Sequence, residues 1–160
     1  MKHPKLRSDT YSCEYLSPLG PIVITCDNEA LTSLSFGTLT GENRLDILLL
    51  KQARKEIDEY FLGKRKEFTL PLNPIGSEFQ LKVWYQLQQI PYGETRSYAD
   101  IAYLVDNPKA FRAVGLANNR NKIGIIIPCH RVIGKDGSLV GYAGGLSFKQ
   151  KLLELERKYR

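Results

Sequence analysis

The chain has 160 residues, 42% of them hydrophobic and 25% charged, and carries a net charge of +6. Those values set a prior of one domain or two small ones and exclude disorder, a collagen-like repeat and a pure coiled coil. No apolar run approaches the roughly 20 residues that span a bilayer, MKHPKLRSDT carries no signal-peptide core, and three cysteines (Cys13, Cys26, Cys129) without a CxxC pair form no even disulfide framework. The expectation is a cytoplasmic protein with free thiols and no membrane partner.

The first third reads as strands. Tyr11–Leu16, Ile22–Cys26 and Leu31–Phe36 are short β-branched or aromatic runs, punctuated by Ser17-Pro-Leu-Gly20 and Asp27-Asn28. They predict an antiparallel meander. From Gly41 to Leu62 the apolar spacing turns helical, with Leu45, Leu48, Leu49, Ala53, Ile57, Tyr60 and Phe61 on one face and Gly63 as C-cap. Residues 64–76, with Pro71, Pro74 and Gly76, read as an extended connector, which places an N-terminal α/β domain at 1–75 and a second domain at 76–160.

The second half reads as mostly helical. Ser77 caps a helix through Gln89 that buries Phe79, Val83, Trp84 and Leu87. Ser97, with Asp100 three residues on, caps a short helix over 98–105. Asn107-Pro108 opens another, with Pro at the first helical position, running from Lys109 to Asn118 with Phe111, Val114 and Ala117 inward. Two short helices joined by a tight turn resemble a helix-turn-helix. Ile123–Ile127 is strand-like, Gly141–Gly145 is a Gly-rich loop, and a helix over 147–158 buries Phe148, Leu152 and Leu155. The fold class is α+β.

The charge is one-sided. Residues 1–76 carry ten Lys/Arg and ten Asp/Glu, whereas 77–160 carry thirteen and seven. Between 107 and 135 stand Lys109, Arg112, Arg120, Lys122, Arg131 and Lys135 with no acidic residue. Such a patch is the footprint expected for nucleic acid.

Cys129 follows the apolar run and lies beside Pro128 and His130 among cationic residues. A thiol becomes a nucleophile only as thiolate, which positive charge and a His favour. An inert buried cysteine is the competing reading; the His, the charge and the Gly-rich loop point to a nucleophile. If strand geometry continued through the pair, His130 would face away from Cys129. Either the backbone bends there or a water relays the proton. Orienting the imidazole takes an acceptor, and Glu154 and Glu156 on the last helix are the candidates.

The stretch from Asn121 to Val132, NKIGIIIPCHRV, followed by Gly141-Tyr-Ala-Gly-Gly145, resembles the O6-alkylguanine-DNA alkyltransferases. The resemblance is close from Ser77 to Glu156 and loose before it. It implies a ribonuclease-H-like N-terminal half-sheet with a helix, a helical C-terminal domain with a helix-turn-helix, and direct-reversal repair. In that reaction the alkyl group of O6-alkylguanine in duplex DNA, or of O4-alkylthymine, moves irreversibly to the protein's own cysteine. The resemblance assigns Cys129 as acceptor, His130 as its base through water, Glu156 as the carboxylate that orients His130, and Asn121 as the brace of the active-site turn. It assigns Arg112 to the gap left by a flipped base, Tyr98 to the 3′ phosphate and nucleotide rotation, and Tyr98, Tyr142, Ala143 and Gly144 to the base pocket. Protonation of the leaving guanine at O6 by a nearby hydroxyl, such as Tyr98, would help it depart. Lys109, Arg120 and Lys122 supply phosphate contacts, and the small Ala113, Gly115 and Ala117 allow close, sequence-independent approach. The protein would act as a monomer and without a cofactor.

Three positions depart from the family pattern: Lys122 and Gly124 stand where prolines are common, and Ala143 where Ser is often found. The first two loosen the pocket rim. Some members hold zinc through two Cys and two His; with only His3, Cys13 and Cys26 in this third, no metal is expected. A non-catalytic sensor of alkylated DNA, which would carry Trp in place of the acceptor, is disfavoured by Cys129. A helix-turn-helix regulator would need base-reading side chains where Ala113, Gly115 and Ala117 stand. A cysteine hydrolase would need an oxyanion hole that is not evident.

Overall fold

The computed structural model describes residues 9–142 and 145–160. Strands β1 (Tyr11–Ser17), β2 (Gly20–Cys26) and β3 (Leu31–Phe36) form an antiparallel meander in that order. Cys13 pairs with Ile24 and Ile24 with Leu34, so the period of two aligns one buried row, to which Ile22, Cys26 and Leu31 belong. Helix α1 (Leu48–Phe61) covers this face through Leu50, Ala53, Ile57, Tyr60 and Phe61.

The helical spacing seen from Gly41 onward begins to be used only at Leu48. Residues 41–47 are taken by the sheet edge instead: Arg44 N donates to the Ser12 carbonyl at 2.9 Å, and the Asn43 side chain accepts from Glu14 N at 3.1 Å. Leu45 and Leu48, placed by periodicity on the buried face, are therefore exposed, Leu48 at 79%.

The connector is pinned rather than loose. Leu31 N donates to the Pro71 carbonyl and Asn73 N to the Leu31 carbonyl. Buried Glu56 of α1 accepts from Thr69 N and Thr69 Oγ1. Farther along β3, Leu34 N donates to the Lys122 carbonyl and Gly124 N to the Leu34 carbonyl. The small sheet thus holds a segment of the second half at its edge, and that segment leads into Pro128 and Cys129.

Helix α2 (Glu78–Gln88) has the Ser77 capping box with Gln80, and α3 (Tyr98–Leu104) the Ser97 capping box with Asp100. Helix α4 (Phe111–Asn119) begins later than expected. Pro108-Lys109 forms a turn closed by Ala110 N on the Asn107 carbonyl, and no side chain caps α4. Phe111, expected inward, is consequently 49% exposed, while Val114, Ala117 and Asn118 are buried. Trp84 of α2 ties the two helices by donating to the Ala117 carbonyl at 2.8 Å.

Ile123–Ile127 is not a strand. Ile126 N reaches the Gly124 carbonyl and Ile127 N the Ile123 carbonyl, and Ile125 sits at φ 67°. A run of four isoleucines reads as β by composition, yet each residue from Ile125 to Ile127 is buried within a tight loop. The chain then forms a 3-10 turn at Cys129–Arg131, and β5 (Val132–Ile133) pairs in parallel with β4 (Arg96–Ser97). Helix α5 (Leu146–Lys158) buries Lys149, Leu152, Leu153 and Glu156. Phe148 is only half-buried and stacks on Phe36 with ring centroids 4.3 Å apart. Among the described residues no helix is long and apolar enough to cross a membrane.

The two leucines of α1 that periodicity treats alike should separate in experiment. Leu50→Ala, at a fully buried position, should cost about 2–5 kcal/mol of unfolding free energy. Leu48→Ala should stay within about 0.5 kcal/mol of the parent. Urea unfolding of the two variants checks both.

Candidate active site

The polar centre of the molecule is the Glu156 carboxylate, 1% exposed. A buried ion is tolerable only if its lone pairs are met, and here five donors converge. Oε2 accepts from Tyr60 Oη at 2.7 Å, His130 Nε2 at 2.6 Å and Arg131 Nη2 at 3.1 Å. Oε1 accepts from Arg131 Nε at 2.8 Å and Gly93 N at 3.3 Å. Burial alone would raise this carboxyl, but the charges and hydrogen bonds of His130 and Arg131 hold it well below the usual carboxylate range. Glu154, the other candidate orienter, is exposed and binds Gln150.

His130 is fully buried. Burial lowers its pKa, and the Arg131 and Lys149 charges add to this while Glu156 opposes it. Burial, with the Arg131 and Lys149 charges, outweighs the pull of Glu156, and the imidazole is neutral. Its Nε2–H donates to Glu156, which leaves the Nδ1 lone pair without a partner among the described residues. A buried, pre-oriented base nitrogen is the result.

Cys129 opens the 3-10 turn. The strand continuation that would have thrown His130 to the opposite face is absent; the backbone bends. Asn118 Nδ2 donates to the Cys129 carbonyl at 3.2 Å. Asn121 grips both ends of the loop before it, donating to the Ile127 carbonyl at 2.8 Å and accepting from Ile123 N at 3.0 Å. The thiol is pushed up to about 11 by burial, against the Asn121 amide, the Lys149 charge and the backbone N–H groups of the turn. Local positive charge leads one to expect a thiolate; burial outweighs it, and the resting thiol is protonated.

A cavity of about 790 Å³ opens onto Cys129. Its walls include Ser35 and Phe36 of β3, Trp84, Lys122, Gly124 and Tyr142. Burial first, and the Glu156 charge with it, raise the Tyr142 hydroxyl far above its ordinary value. Tyr98 does not line this cavity; its hydroxyl donates to the Val140 carbonyl at 2.7 Å. Lys149, fully buried, donates to the same carbonyl at 2.9 Å and lies 3.5 Å from Tyr98 Oη. Burial lowers its ammonium to about 8. Ala143 and Gly144, assigned to the pocket from the sequence, lie outside the described residues, as does His3. Among the described residues no cluster of three or more His, Cys, Asp or Glu could hold a metal ion.

Arg112 and Ala113 are exposed on α4, with Lys109, Arg120 and Lys122 exposed around it. Arg131 does not belong to this basic face, contrary to its place in the sequence patch: it is buried on Glu156 and also donates to the Ile90 carbonyl at 2.7 Å. Gly115 has no internal reason to be glycine, since a Cβ there would meet only the Tyr98 ring at 3.9 Å, an ordinary contact.

Four residues of the centre escape the sequence reading: Tyr60, Asn118, Arg131 and Lys149. For Lys149 a signal exists. Lys149, Leu152, Leu153 and Glu156 fall at i, i+3, i+4 and i+7, so an ammonium and a carboxylate occupy the apolar stripe of α5.

Comparison with known proteins places the whole chain in one family. The family model for the DNA binding domain of 6-O-methylguanine DNA methyltransferase matches residues 78–158, and that for its ribonuclease-like domain matches residues 11–74. The methylated-DNA--protein-cysteine methyltransferase of Methanosarcina acetivorans is 47% identical over 154 residues, covering 91% of this chain and 97% of the relative. The constitutive enzyme of that name from Bacillus subtilis is 46% identical over 151 residues, 88% and 92% of the two chains. The crystal structure of the Mycobacterium tuberculosis O6-methylguanine methyltransferase superposes with a TM-score of 0.86 at 42% identity over 95% of each chain. Mycobacterium tuberculosis OGT in complex with DNA gives 0.85 at 43% identity, covering 93% and 94%.

The buried centre makes stability depend on pH. His130 and Glu156 both have folded-state pKa values below their ordinary 6.5 and 4.5, so the unfolded chain binds more protons as acid is added. Their contribution is complete above about pH 7 and is lost as pH falls through 6 and below 4.5. Glu156→Gln should cost about 3–5 kcal/mol near neutral pH, because Arg131 is left buried and unpaired. The difference from the parent should persist down to about pH 4.5 and shrink only below it, as the parent's Glu156 begins to bind its proton. Urea unfolding across this range measures both.

Proposed function

The chain belongs to the 6-O-methylguanine DNA methyltransferase family, and on that premise we propose that its direct-reversal repair of alkylated DNA runs through Cys129 as the acceptor of the alkyl group from O6-alkylguanine. The observation that supports this most is the partnerless Nδ1 of a neutral His130 held on Glu156 one residue from a buried thiol.

The chemistry then follows in order. The Cys129 Sγ–H proton passes through a bridging water to His130 Nδ1, and the imidazolium that forms is stabilised by Glu156. The thiolate attacks the alkyl carbon, an S–C bond forms and the C–O6 bond breaks, with guanine as leaving group. Guanine takes a proton as it departs, and Tyr98 is the hydroxyl for this step. Its resting bond to the Val140 carbonyl can be released because Lys149 keeps that carbonyl satisfied, and a Lys149 ammonium with a pKa of about 8 can restore the proton. The product is a thioether and no cofactor enters.

A base cannot be reached inside the stack, so it is extruded at a cost of a few kcal/mol. Arg112 on exposed α4 fills the gap and offsets part of that cost. Gly115, free of internal demands, suits close approach of the helix to the duplex. Exposed Lys109, Arg120 and Lys122 contact phosphates, and Tyr142 walls the base pocket. The division of labour places the DNA and acceptor machinery in 76–160 and its support in 1–75, in a protein acting as a monomer. Three free, buried cysteines suit the reducing cytoplasm.

Incubation with a duplex oligonucleotide carrying O6-methylguanine should add one methylene to the intact mass, mapped to the Cys129 peptide. Cys129→Ser should abolish the shift while duplex binding persists. Transfer persisting in that variant overturns the assignment. On the DNA side, Arg112→Ala should slow repair of the duplex far more than reaction with the free base O6-methylguanine. Equal losses on both substrates would remove Arg112 from the flipping step.

A further inference from the structure

Tyr60 lies in α1, ninety-six residues away in sequence from the carboxylate it binds. It is fully buried, and its ring is held by Phe61, Phe68 and Tyr92 at centroid distances of 5.3, 5.7 and 6.1 Å. Those contacts account for an aromatic ring at this position. They do not account for the hydroxyl, which lands at 2.7 Å on Oε2, the same oxygen that receives His130 Nε2 at 2.6 Å.

We propose that Tyr60 is a positioning residue for alkyl transfer, contributed by the N-terminal half: its hydroxyl occupies part of the Glu156 oxygen that His130 shares, and so sets how strongly that carboxylate draws the imidazole towards its charged form. This rests on the roles of Cys129 and His130 given above. A donor on Oε2 spreads the carboxylate's electron density over one more hydrogen bond, which leaves less for the His130 Nε2–H. The imidazole stays neutral at rest, with Nδ1 available. Burial and the Glu156 charge keep Tyr60 protonated, so it always donates. The other groups around the pair are Arg131, which also binds Glu156, Lys149 from α5, Tyr92 from the loop before β4, Tyr142 and the Cys129 thiol. Among these, Arg131 contributes its charge and hydrogen bonds, while Tyr60 is the neutral donor on Oε2.

The test is the pH–rate profile of single-turnover methyl transfer, read by intact mass, for the full chain and for Tyr60→Phe, which keeps the ring. Without the hydroxyl, Glu156 draws His130 more strongly and its pKa rises. The acid limb should move up by about one pH unit, a roughly tenfold slower transfer on the acid side. On the alkaline plateau the rate should be equal or higher, because a more basic imidazole accepts the proton at least as well. An unshifted limb overturns the inference, as does a uniform fall at all pH values, which is what a merely structural role gives. If the parent chain transfers no methyl to Cys129, the functional reading fails before Tyr60 is at issue. Should Tyr60→Phe not fold, NMR on the parent decides. A protected Tyr60 hydroxyl proton with a cross-peak to the His130 Nε2–H supports the inference, and its absence overturns it.

Discussion

Everything in the centre of this protein depends on keeping one carboxylate ionised without water. The five donors on Glu156 come from residues 60, 93, 130 and 131, and the carboxylate itself from residue 156. Four separated stretches of chain must therefore be in place before the charge is compensated. The desolvation penalty of a half-paired ion is several kcal/mol, so partial assembly is penalised and the arrangement forms as a unit. What the enzyme gains is a neutral imidazole in one tautomer at a fixed place, which a solvent-exposed His-Glu pair would not provide.

The same centre shows how far the sequence could be read. The strands, the Ser77 and Ser97 caps and the tight turn between α3 and α4 are legible because each rests on local chemistry: β-branched runs, a hydroxyl oxygen that accepts from the N–H three residues on, and polar turn residues. Cys129 and His130 were legible because they sit together in a recognisable stretch. Arg131 was misplaced on the DNA face because charge in a sequence carries no burial, and only the fold puts Glu156 within 2.8 Å of it. Tyr60 counted as one more apolar residue of a helix stripe, since nothing local tells a hydroxyl with a partner from one without. The isoleucine run failed for the opposite reason: its composition favours a strand, and tertiary demands on the loop overrode it.

The basic face and the buried centre divide the electrostatics between them. On the proposed reading, the exposed Lys and Arg around α4 act through long-range, salt-sensitive attraction to phosphate. Arg131 and Lys149 are shielded from that field and act at hydrogen-bond distance. The chain thus carries cations in two dielectric regimes, exposed around α4 and buried beside Glu156 and Cys129.

Ile125 shows what the chemistry does not require. A β-branched residue at φ 67° sits in a backbone region that costs on the order of 1–3 kcal/mol, and it stays there because Asn121 clamps the loop on both sides. On the proposed reading Cys129 is spent in one thioether, so the turn has to be held in place for a single transfer. The strain at Ile125 is set when the chain folds and is held by the two Asn121 hydrogen bonds, ahead of the turn that carries the thiol.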